Sequence, residues 1–97
     1  MTNKEALQSQ TEYSNDNLLE KLLLDQGVAT GGTYVAANAK DIDLCAANLY
    51  FTLAAHPDLR EGALSIKYSG AQLIAMAKTI LKKYDMDEAT VDGGAMW

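Results

Sequence analysis

Few side chains in this sequence stand where chemistry could use them. His56 is its one histidine. An imidazole acts as general base or metal ligand only with partners in reach. No Cys or His partner stands at metal-ligand spacing from it. It precedes Pro57 at the end of a helical pattern, where a histidine complements the negative helix terminus. Cys45 is the one cysteine, so no internal disulfide can form. It falls on an apolar helical stripe and reads as a small buried hydrophobe rather than a nucleophile. Asp85, Asp87, Glu88 and Asp92 resemble a sparse calcium loop. Yet no glycine stands at the sixth position and no glutamate at the twelfth, as calcium coordination in such a loop demands. Gly31-Gly32 is followed by no GK[ST] and preceded by no strand, so it is no phosphate cradle. Asp41 and Asp43 are two apart on a helix and do not share a face. These residue types predict no catalytic residue, no metal and no cofactor, which points to an interaction module.

The elements that position these residues come from a chain of 97 residues, enough for one modest core. Apolar residues make up 48 %, so the chain is expected to fold. A net charge of −5 argues against a general electrostatic hold on nucleic acid. No run of 18 apolar residues and no apolar leader region is present, which predicts a soluble protein with no membrane partner.

Thr2 and Glu5 form the pattern of a capping box, with a short helix over 3–10. Ser14 is positioned to cap a second helix over 16–25, with Asp16 at its positive end. Leu18, Leu19, Leu22 and Leu23 form its apolar stripe. Gly27 is the natural stop, since glycine enters the left-handed cap without steric cost. After a Thr30–Thr33 loop, a third helix is expected over 35–55. Its inward stripe is Ala39, Ile42, Cys45, Ala46, Leu49, Tyr50 and Leu53. His56-Pro57 ends it, because the residue before proline is pushed out of helical geometry. A turn over 58–62 follows. Ser69 caps a fourth helix over 70–84, with Leu73, Ala77, Ile80, Leu81 and Tyr84 inward and Lys78, Lys82 and Lys83 toward its negative end. Residues 85–97 read as a flexible acidic tail on a single domain of residues 1–84.

Between the last two helices, side chains alternate. Leu64, Ile66 and Tyr68 fall on one face, Ala63, Ser65 and Lys67 on the other, the period of a half-buried strand. The reading is therefore an all-α bundle of three to four helices with one short extended loop or β-hairpin. A lone strand cannot satisfy its own backbone groups, so it needs a hairpin partner or a strand from another copy. Leu64, Ile66, Lys67 and Tyr68, together with Trp97 in the tail, are the candidate interface residues.

Three segments carry a family resemblance spanning about residues 15 to 84. They are Leu44-Cys45-Ala46-Ala47-Asn48-Leu49-Tyr50-Phe51-Thr52-Leu53-Ala54-Ala55, Glu61-Gly62-Ala63-Leu64-Ser65-Ile66-Lys67-Tyr68-Ser69, and Ile80-Leu81-Lys82-Lys83-Tyr84. Their order resembles the head–tail connector (adaptor, head-completion) proteins of tailed bacteriophages and prophages. There an alanine- and leucine-rich helix leads into a loop of the kind E-G-x-x-S-I-x-Y-S, and a last helix ends in a basic-aromatic K-K-Y. The resemblance implies packed helices with an extended loop. It also implies a ring of copies below the portal protein that offers a platform to a downstream connector or tail protein. DNA would pass through the ring without specific binding. The location implied is the virion, and the host bacterial cytoplasm during assembly. A reading from another class is a small acidic helical regulatory module with one protein partner, reached through the Leu18–Leu23 stripe or Trp97. Neighbouring portal, capsid and tail genes would favour the first; a toxin or regulator gene would favour the second.

Overall fold

The computed structural model describes residues 1–56 and 68–85. Four helices run α1 (Asn3–Thr11), α2 (Asp16–Asp25), α3 (Ala39–Ala55) and α4 (Gly70–Lys83), with a 3₁₀ turn over Ala36–Asn38. No strand occurs among the described residues; one isolated bridge pairs Thr2 with Thr33. The molecule is an all-α bundle, as the periodicities indicated.

Local chemistry explains the helix boundaries. At Thr2 the capping box closes both ways. The Glu5 backbone N–H donates to the Thr2 hydroxyl at 3.1 Å, and the Thr2 backbone N–H donates to the Glu5 carboxylate at 2.7 Å. The second box sits at Ser69 with Gln72. The cap of α2 is Asn15 rather than Ser14: its side-chain oxygen accepts from the Leu18 N–H at 3.2 Å. Asn and Ser cap about equally well, so geometry, not propensity, chose between neighbours. Gly27 takes φ +79°, the left-handed conformation expected of it. The third helix does not begin at Val35. That residue is extended, and the chain makes its 3₁₀ turn before α3 starts at Ala39. Asn38, at the junction, gives its side chain to Asn3 and to the Thr33 carbonyl instead of capping the helix.

Helix α3 is the centre of the bundle. Helices α1 and α2 pack on it and on each other, and α4 packs along it. Asp43 near the start of α3 bonds Lys83 and Tyr84 at the end of α4, so these two helices run antiparallel. Leu7, Tyr13, Leu19, Leu23, Ile42, Leu49, Leu53, Leu73, Ala77 and Leu81 are all buried. The single stripe expected for α3 is too narrow. Leu44, Ala47, Asn48 and Phe51 are buried too, so the middle of this helix is enclosed on every side. A helix apolar all round is one with neighbours all round. Ile80, expected in the core, is only half-buried. Helix α4 faces inward through Leu73, Ala77 and Leu81, each four residues apart, and Ile80 lies at the edge of that stripe, ~60° from its middle.

Tyr68 is half-buried against the core. The remainder of the alternating segment, with Leu64, Ile66 and Lys67, lies outside the described residues, as do the 58–62 turn, the tail beyond Asp85 and Trp97.

Candidate functional site

The densest polar constellation gathers on Asp43. Its carboxylate accepts from Gln10 Nε2 at 2.9 Å, from Lys83 Nζ at 3.0 Å and from the Tyr84 hydroxyl. Two ammonium groups stand over the Tyr84 ring, Lys83 Nζ 5.2 Å and Lys40 Nζ 5.6 Å from its centroid. Both are within cation–π range. One carboxylate thus ties the last turn of α1 and the end of α4 to the first turns of α3. Partial burial pushes the Asp43 carboxyl up, but the donors from Tyr84, Lys83 and Gln10 outweigh it and hold the group below its ordinary 3.8. The same contact raises Lys83 and Tyr84 above their usual values. A carboxylate held ionised by three donors is poorly suited to take a proton. It serves as a clasp.

A second, neutral hub forms at Asn3, itself buried. Its Nδ2 donates to the Ala29 carbonyl at 2.9 Å and its Oδ1 accepts from Asn38 Nδ2 at 3.1 Å. Its backbone N–H donates to the Gly32 carbonyl at 2.9 Å, and that of Tyr34 donates to the Met1 carbonyl at 2.9 Å. The loop after α2 is stitched in this way to the start of α1. Beside it, Lys4 bridges Asp16 at 3.4 Å and Glu20 at 3.3 Å, joining α1 to α2.

The residues singled out for chemistry part company. Cys45 is fully buried, its thiol against the Leu22 carbonyl at 3.5 Å. Burial first, then the charges of Asp41 and Asp25, push it up to about 12, far from the thiolate a nucleophile needs. Asp41 therefore faces the Cys45 side of α3 and Asp43 the α4 side, as their spacing predicted. His56 is exposed at the end of α3. Among the described residues no three His, Cys, Asp or Glu side chains gather where they could hold a metal ion. No helix among them is long and apolar enough to cross a membrane. Of the five candidate interface residues only Tyr68 is described, and it packs against the bundle.

Sequence reasoning missed both hubs. Lys83 reads as part of a basic helix end and Tyr84 as an inward position, but their partner Asp43 lies some forty residues away, beyond any local pattern. Asn48, buried within α3, was also missed. Its Oδ1 meets no donor among the described residues.

Fold and hubs together define a small helical bundle whose polar clusters bind its own helices to one another. A family model described as "Family of unknown function (DUF6706)" matches residues 1–95, and the chain belongs to that family. No curated protein and no solved structure matches it.

Proposed function

We propose that this chain is a structural assembly protein of a phage or prophage virion, a head–tail connector seated below the portal. One observation supports it above the others. The two helical segments that carry the connector resemblance are locked to each other, with Lys83 and Tyr84 of the K-K-Y ending both donating to Asp43 of the central helix. The E-G-x-x-S-I-x-Y-S run lies between them in sequence. On its near side stands His56, whose N–H closes on the Thr52 carbonyl. On its far side stands Tyr68, packed on the core. A bundle whose helices are clasped to one another suits a part that docks, since a rigid scaffold lowers the cost of ordering a contact. The polar groups that converge are spent on cohesion, which suits assembly better than turnover.

The test replaces Ile66 by Asp. The isolated chain keeps its helical circular-dichroism signal and fails to join particles in a complementation assay. Normal particles from Ile66→Asp remove the segment from the joint. Portal, capsid and tail genes beside this one are the expected gene context, and a lone regulator or toxin gene in their place counts against the reading.

A further inference from the structure

Charge is segregated between the outer layers of the bundle. Residues 1–56 carry seven carboxylates against three lysines, whereas α4 carries three lysines and no carboxylate. Lys83 is engaged with Asp43. Lys78 and Lys82 lie on the exposed side of α4, four residues apart and so on one face. Ile74, 37 % exposed, continues that face one turn earlier, beside the exposed Ala71 and Ala75.

On α2 the outstanding feature is Leu24, 67 % exposed. Glu20 stands one turn before it and Asp25 next to it. Asp41 of α3, four residues before Cys45, shares the side of that helix that turns to α2. Two lysines stand there: Lys21 pairs with Asp25 at 2.6 Å and Lys4 bridges Glu20 and Asp16, so four carboxylates face two cations. Leu24 thus sits in an acidic surround and Ile74 in a basic one.

The two faces lie on different sides of α3. Cys45 turns to α2 and Asp43 to α4, and two helical steps separate them by ~200°. We propose that they are the two halves of one joint: the Ile74-centred face of α4 seats on the Leu24-centred face of α2 in a second copy of this chain. Each half offers an exposed apolar side chain at its centre and charges of opposite sign at its rim. That arrangement excludes water centrally and orients the encounter. A joint between two different faces is heterologous, so it repeats and either closes into a ring or runs on. The inference rests on the connector reading, for which it supplies the contact between neighbours, but its test needs no virion.

The purified full chain is weighed by sedimentation at about 1 mM protein, the range in which a weak joint fills. In low salt its mass exceeds the monomer, and at about 1 M salt, where exposed charges are screened, it falls toward the monomer. Leu24→Asp alone and Ile74→Asp alone each stay monomeric. Mixed, they form a one-to-one dimer that grows no further, because each supplies the face the other lacks. Lys82→Glu, at an exposed position, replaces Ile74→Asp should that variant lose its helical signal. A wild-type chain monomeric in low salt, single variants that associate undiminished, or a mixture that stays monomeric each overturns the joint. Association by a chain that enters no particle keeps the joint and removes the connector reading. Normal particles built from Leu24→Asp chains remove the joint and keep the connector.

Discussion

Asn3 joins the start of α1 to the following loop with neutral amides and is 3 % exposed. Asp43 joins α1 and α4 to α3 with a charge, and its side chain is 15 % exposed. Both bridge segments that lie far apart in sequence. The difference lies in what can loosen them. Buried amides answer to neither salt nor pH, and their cost appears only when one partner is removed and the other is left dry. A half-open carboxylate is screened by salt and neutralised by acid. Of the two hubs, the one where α4 meets the bundle is therefore the one sensitive to solution conditions, and the Asn3 amides are indifferent to them.

The apolar core between the hubs sets the scale for breaking either. Leu49 is fully buried on α3, and Leu49→Ala is expected to cost roughly 2–5 kcal/mol in denaturant melts. A loss below about 0.5 kcal/mol would mean the site collapses freely and the core carries less of the bundle than its burial implies. Asn3→Ala comes next. It removes two hydrogen bonds, to the Ala29 carbonyl and from Asn38 Nδ2, although each of these keeps a second partner, for an expected loss of about 1–3 kcal/mol, equal at pH 7 and at pH 3. Marked pH dependence in that variant would erase the contrast between the hubs.

Asp43→Asn is expected to cost about 1 kcal/mol at neutral pH, reduced by the exposure of Lys83. The sign follows from the depressed carboxyl. Its contribution is complete above the ordinary aspartate value of 3.8 and is lost as pH falls through the lower folded value. Tyr84, raised above 10.0 by the same contact, sets the alkaline limit: its share is whole below 10.0 and is lost as pH rises through the folded value. Melts of wild type and Asp43→Asn should therefore differ most near pH 7 and draw together as pH falls below 3.8; parallel curves throughout would reduce the clasp to packing. Gly32→Ala has the smallest expected effect, under about 1 kcal/mol. Its new Cβ would stand 3.2 Å from Asn3 Nδ2 and 3.4 Å from the Ala29 carbonyl oxygen. Asn3→Ala in the same chain should abolish that penalty.

The features legible in the sequence were those that depend on near neighbours. The Thr2–Glu5 capping box, the Ser69 cap, the left-handed Gly27 and the leucines of α2 rest on contacts within a turn or two. The start of α3 was misplaced because Asn38 is claimed by Asn3, thirty-five residues away. The enclosure of α3 was missed because Ala46, Ala47 and Asn48 look like a weak, mixed face until neighbours are placed on all of it. Asp43 was read only by what it lacks, a second carboxylate on its own face, since nothing nearby announces Gln10, Lys83 or Tyr84. The joint between α2 and α4 depends on which side chains stay exposed, and alternation or periodicity cannot reveal that.

The burial of Cys45 gives the protein an internal clock. The chain has one thiol, sealed between α2 and α3 and kept protonated. A maleimide or iodoacetamide in the surrounding buffer can reach it only while α2 stands away from α3. The labelling rate therefore measures that single excursion, with no engineered probe. Set against the unfolding free energy from denaturant melts of the unmodified protein, it distinguishes local breathing of the α2 layer from loss of the whole structure, since only local opening labels faster than global unfolding allows.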